Sequence, residues 1–195
     1  IRRPPRSTPF PTRRSSDLFS YLGVHREKGR TLVRVFRPHD VNVWIRTTIG
    51  YEPMSRIHAN GIFEWRGEFP PEMPYRLRIE AKGDTQSIYE TYDAYAFPLQ
   101  ISDHDVYLFN EGKLRQAYRM LGAQRVRNSG VDGVRFSVWA PNAGRVSVVG
   151  DFNRWDGRIH PMAVHHASGV WELFIPDLPP NALYKYEIRN RDSGE

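Results

Sequence analysis

Apolar and polar residues alternate in short runs from residue 19 onward. The stretches "TLVRVFR" (31–37), "VNVWI" (41–45), "IFEWRGEF" (62–69) and "YRLRIEA" (75–81) are separated by Pro, Gly, Asn and Asp, and a comparable series follows later in the chain. A period of two over four to eight residues is what a strand with one buried face requires, and the punctuating residues are those that turns select. In "VRFSVWA" (134–140) the alternation sets Val134, Phe136 and Val138 on one face and Arg135, Ser137 and Trp139 on the other. By the same rule Val146 and Val148 point inward. In "LYKYEI" (183–188) either Leu183 or Tyr184 does, with Lys185 on the side opposite Tyr184 and Tyr186.

The two series repeat each other. "YLGVH" (21–25) answers "MLGAQ" (120–124), "VFRP" (35–38) answers "VWAP" (138–141), and "VNVWI" (41–45) answers "VSVVG" (146–150). The long stretch 58–84 answers 166–192 in the same way, from "HANGIFEW" against "HASGVWEL" onward. Self-similarity at about 100 residues implies two copies of one sandwich-sized unit. The predicted fold class is therefore all-β: two tandem immunoglobulin-like β-sandwich domains joined by an extended segment and a short helix. The predicted boundaries are a first sandwich over 19–104, a connector over 105–130 and a second sandwich over 131–195, cut short at its C-terminal end. Within the connector, "EGKLRQAYRMLGA" (111–123) places Leu114, Tyr118 and Leu121 at i, i+4 and i+7, one face of a helix with Gly122 as its C-terminal cap. The preceding "YDAYAFPLQISDHDVYLFNEG" reads as an extended, acidic-aromatic segment along the first sandwich.

Composition narrows the function. A hydrophobic share of 39% over 195 residues suffices for packed cores. No apolar run approaches the roughly 20 residues of a membrane helix. The chain has no Cys, which removes disulfides and thiolate chemistry and fits a reducing compartment. Its only close His pair, His165-His166, falls on a strand whose neighbours face opposite ways, a poor metal clamp. The net charge of +6 would suggest nucleic acid, but five arginines against Asp17 put +4 of it in residues 1–18, leaving +2 for the rest. Back-translated, "FPTRRSSDL" and "IRRPPRST" resemble a common sequencing-library adapter, so residues 1–18 are read as a disordered assembly artefact. A disordered basic arm is the alternative. Neither nucleic acid nor a membrane is expected as a partner.

The candidate chemistry lies in "FSVWAPNAGRVSVVGDFNRWDGR" (136–158). An outward Trp139 beside the amine of Lys185 and the turn Asn153, Arg154, Trp155, Asp156 would make an amphipathic platform, on which a pyranose stacks while Lys and Asn bond its hydroxyls. Covering roughly 60 Å² of apolar surface contributes about 1.5 kcal/mol per ring. With a few hydrogen bonds at about 1 kcal/mol each, affinity is only millimolar, which matters on a multivalent polymer. Trp on a sandwich strand also serves as a core plug or interface residue, and Trp155 as a staple beneath its turn. Trp171 is expected to pack inside or at an interface.

These residues, continued by "HPMAVHHASGVWELFIPDLPPNALYKYEI", closely resemble the family-48 carbohydrate-binding module that precedes the catalytic barrel in glycoside hydrolase family 13. The connector and the first sandwich look like the N-terminal half of the bacterial glycogen branching enzymes, so the resemblance covers residues 19–195. The chain departs from that pattern at Lys113-Leu114, Gln124 and Ala94, and its first repeat has Phe36 opposite Trp139 and "TTIGYEP" in place of the Asn-Trp-Asp-Gly turn. The resemblance implies a cytoplasmic enzyme that moves α-1,4-glucan segments onto 6-hydroxyls without metal or organic cofactor. It implies α-1,4-glucan or glycogen as partner, together with the enzyme's own catalytic barrel. Retaining chemistry needs two carboxyl groups about 5–5.5 Å apart, which the family carries on that barrel. Asp151, Asp156, Glu172 and Glu187 are isolated on turns and strands, and no catalytic residue is expected. The implied glucan contacts are Trp139, Asn153, Trp155, Asp156 and Lys185. The rival readings are another family-13 enzyme such as a debranching enzyme or a trehalose-forming hydrolase, a stand-alone glycan-binding or regulatory module, and a sandwich used only for protein contact.

Overall fold

A computed structural model describes residues 21–27, 29–68, 71–82, 87–165 and 168–191. The reading of residues 1–18 lies outside the described residues. The first unit is built from β1 (Gly23–Glu27), β2 (Arg30–Phe36), β3 (Asp40–Thr47), β4 (Gly50–Pro53), β5 (Ser55–His58), β6 (Ile62–Gly67), β7 (Arg76–Ala81) and β8 (Ile88–Tyr92). Its two four-stranded antiparallel sheets have the orders β1-β2-β6-β5 and β4-β3-β7-β8. The alternation read from the sequence is what fills the space between them: Val33, Val35, Val43, Ile45, Phe63, Leu77 and Ile79 are all at 1% exposure or less.

The second unit repeats this plan with β9 (Gly122–Asn128), β10 (Val131–Trp139), β11 (Ala143–Gly150), β12 (Ala163–His165), β13 (Val170–Pro176) and β14 (Tyr184–Asn190). The sheet β9-β10-β13-β12 mirrors β1-β2-β6-β5, and the pair β11-β14 mirrors β3-β7. Val134, Phe136, Val146 and Val148 form the core with Trp171 and Leu173, so the inward faces fall where the period of two placed them. Tyr184 is the inward residue of "LYKYEI", its ring 4.9 Å from that of Phe136, while Leu183 is 65% exposed. Both repeats carry the same glycine lock. Gly61 and Gly169 have φ of 96° and 71°, and a Cβ on either would lie 2.4 or 2.5 Å from the Cα of Pro38 or Pro141. Each accepts one strand-end amide, from Arg37 at 2.7 Å and from Ala140 at 2.9 Å.

The connector departs from expectation. Its main helix is α1 (Asp103–Asn110), followed by a single turn, α2 (Ala117–Met120), rather than one helix over 111–123. Ser102 caps α1, its Oγ accepting the Asp105 amide at 3.1 Å, and Asp103 and Asp105 complement the positive end of the helix. Gly112, at φ 68°, stops it, and Gly122, at φ 88°, follows the end of α2 and opens β9. Leu114 and Leu121 do reach one apolar cluster with Ile101, Val106, Met120 and Val170, but Tyr118 is 66% exposed. The helices cover the outer face of the β9-β10-β13-β12 sheet. Upstream, Phe97 packs on the first core with its ring tilted against that of Phe174 of β13, centroids 4.8 Å apart, tying the two sandwiches together.

Candidate functional site

The corner that follows β11 is held from within. The chain passes through a 3-10 turn (Asp151–Asn153) into Arg154 and Trp155, at φ 57° and 58°. Two successive left-handed non-glycine residues cost on the order of 1–3 kcal/mol each, and persist only where the surroundings determine them. Asn153 is the determinant. It is 3% exposed; its Oδ1 accepts the Gly150 amide at 2.9 Å, and its Nδ2 donates to the Val148 carbonyl at 2.8 Å and to His160 Nδ1 at 2.9 Å. Burial, assisted by the Arg37 charge, lowers the His160 pKa to about 3, so the ring is neutral and Nδ1 is free to accept. The expectation that Asn153 bonds glucan hydroxyls is thereby corrected: its amide is engaged inside the turn that it builds.

That turn presents Trp155. The indole is 43% exposed and fixed in orientation by Nε1 donating to Asp151 Oδ1 at 2.8 Å and by the backbone amide donating to Gly150 at 3.0 Å. Lys185 faces outward from β14 opposite Val149, its Nζ 6.0 Å from the Trp155 ring centroid, the outer limit of a cation–π contact. Asp156, next along the turn, reaches the first sandwich. Arg158 grips its carboxylate at 2.7 and 2.9 Å, holding the pKa at about 2, and His39 Nε2 of the first sandwich lies 3.1 Å away. Asp156 therefore shapes the turn, and does so across the boundary between the sandwiches. His39, in "RPHD", carries no sequence signal that would have singled it out.

Trp139 is not part of this group. It ends β10 on the outer side of the opposite sheet, 54% exposed, with Nε1 donating to the Ser168 carbonyl at 3.0 Å and its ring edge-to-face with Phe109 of α1 at 6.1 Å. Alternation showed correctly that Trp139 and Lys185 both point outward, but each sheet has its own outside. The structure brings together Trp155, Lys185 and Asp156, with Asn153 beneath them, and leaves Trp139 on the other face.

Beside Trp155 a cleft of about 400 Å³ opens between the two sandwiches, walled by Trp155, Arg158 and Glu187 on one side and reaching His39 on the other. The carboxylates weighed as catalysts are committed elsewhere. Glu172 is fully buried, accepting the amides of Gln100 at 2.7 Å and Ile101 at 3.1 Å and pairing with His165 at 2.9 Å. Glu187 pairs with Arg145 and Arg189. Among the described residues no cluster of three His, Asp or Glu side chains is placed to hold a metal ion.

Comparison with known proteins finds two families along the chain. Residues 10–95 match the family of the alpha-1,4-glucan branching enzyme GlgB N-terminal domain, and residues 120–195 match carbohydrate-binding module 48, the isoamylase N-terminal domain. Proteins named 1,4-alpha-glucan branching enzyme GlgB are similar throughout. That of Nitrosospira multiformis is 60% identical over 196 residues, spanning 100% of this chain and 26% of its own length. That of Nitrosomonas europaea is 63% identical over 94% of this chain and 25% of its own, and that of Methylobacillus flagellatus 52% over 93% and 25%. The fold is thus a pair of sandwiches, of which the second matches carbohydrate-binding module 48. The chain matches the N-terminal region of the proteins named GlgB, with a GlgB N-terminal domain followed by a carbohydrate-binding module 48, and spans about a quarter of the length of these relatives.

Proposed function

We propose that this chain is the glucan-holding front part of a cytoplasmic 1,4-α-glucan branching enzyme, and that Trp155 with Lys185 is its seat for glucose rings. The whole enzyme transfers α-1,4-glucan segments to form α-1,6 branches, and the chain's other partner is the enzyme's own catalytic barrel. The observation that carries the reading is the indole of Trp155, exposed and locked in orientation on a strained turn, with an ammonium 6.0 Å from its ring. A flat apolar face takes the apolar face of a pyranose, and the neighbouring amine donates to its hydroxyls. One ring contributes about 1.5 kcal/mol, so binding is weak for one sugar and effective on a polymer with many equivalent ends. Among the described residues no helix is long and apolar enough to cross a membrane.

Affinity electrophoresis in a glycogen-containing gel tests the reading. The chain is expected to be retarded, Trp155→Ala to abolish most of the retardation, and Trp139→Ala to leave it unchanged. Retardation that survives Trp155→Ala refutes the assignment.

A further inference from the structure

We infer that the cleft between the two sandwiches is a second stretch of the glucan site, in which His39 and Arg189 bond the hydroxyls of sugar units beyond the one seated on Trp155. The inference rests on Trp155 being that seat. Lys185, Glu187 and Arg189 occupy i, i+2 and i+4 of β14, so all three face outward in one row. The row is about 13 Å long at about 3.3 Å per residue, and leads from the ammonium beside Trp155 along the cleft. His39, which the first sandwich contributes, also lines the cleft, beside Asp156.

The chemistry of the walls suits neutral hydroxyls. Arg189 Nε is held at 3.3 Å by Glu187, which also pairs with Arg145, and Arg158 is held in a fork by Asp156. Planar groups fixed by one another lose little conformational freedom when a ligand arrives. They keep outward N–H donors and carboxylate lone pairs, the two functions a sugar hydroxyl satisfies together. Because the arginines already face carboxylates, a phosphate would meet Glu187 and Asp156 as like charges, whereas a glucan meets no such penalty. The first sandwich thereby acquires a role: it completes the wall of the site through His39, which lies 3.1 Å from Asp156.

The test is calorimetric titration of the whole chain with maltotriose and maltoheptaose. The short sugar covers the seat; the long one also reaches the cleft. His39→Ala and Arg189→Ala are each expected to weaken maltoheptaose binding about fivefold, the equivalent of one hydrogen bond, and to leave maltotriose unchanged. Trp155→Ala is expected to weaken both. Arg189 does not touch the turn, so its variant separates contact from loss of fold, and melting temperatures serve as the control. If Trp155→Ala weakens both sugars while the other two variants change neither, the cleft is not a subsite and the seat stands. Equal weakening of both sugars by His39→Ala, with Arg189→Ala silent, reduces His39 to a brace and overturns the inference. If Trp155→Ala changes neither sugar, the seat itself is wrong.

Discussion

At the scale of the residue, the site depends on groups turned into the fold. The period of two set Trp139 outward and Lys185 opposite Tyr184 and Tyr186, because facing on a strand follows from local spacing; it gave no face to Trp155, which lies on a turn. It could not show that Asn153 is turned inward, since Asn in a turn is equally common as a surface donor. The acceptor for Asn153 is a neutral His160, which gives the corner a pH dependence of definite sign. The His160 pKa falls from the unfolded value of 6.5 to about 3 in the fold, so the unfolded chain binds the extra proton between those values. Stability is therefore expected to decline as pH falls from about 6.5 to about 3, by at most about 1.4 kcal/mol per pH unit. Asp156, lowered to about 2, adds a loss only below the ordinary carboxylate range. His160→Asn, which keeps an acceptor, should flatten the slope between pH 6.5 and 4.5 in urea melts. An unchanged slope would place the proton elsewhere.

At the scale of the element, the repeat shows how one strand plan serves two purposes. In β2 and β6 of the first sandwich, Arg34 pairs with Glu64 at 2.9 Å on an outer face. The equivalent residues of the second sandwich are Ser137 and Glu172, opposite each other in β10 and β13. The small Ser137 leaves room for the connector to descend onto the sheet, and Glu172 receives the amides of Gln100 and Ile101 in its place. This could not be read from the sequence, because the heptad-like spacing of Leu114, Tyr118 and Leu121 mimics a helix, whereas the true helix announces itself by its Ser102 cap and acidic first turn. Glu172→Ala is expected to destabilise by on the order of 3 kcal/mol, the cost of breaking a buried, hydrogen-bonded charge set. Hydrogen exchange at Gln100 and Ile101 should accelerate with it; protection that persists would show the connector to be held by its apolar cluster instead.

For the molecule as a whole, the sequence carried the two-sandwich plan, because a repeat of strands with matching inward faces admits few arrangements. The mirrored sheet orders and the paired Gly61 and Gly169 locks follow that plan. What the sequence did not carry is which outer faces meet a common solvent. Trp139 and Trp155 are separated by a single strand in the chain, yet β10 and β11 lie in different sheets, and only the three-dimensional pairing decides that Trp155 shares a surface with Lys185 and His39. The most direct test of that division is to follow the five tryptophan indole N–H resonances while maltoheptaose is added. The Trp155 signal is expected to move with saturation while that of Trp139 stays in place. Movement of Trp139 with Trp155 unmoved would contradict the account.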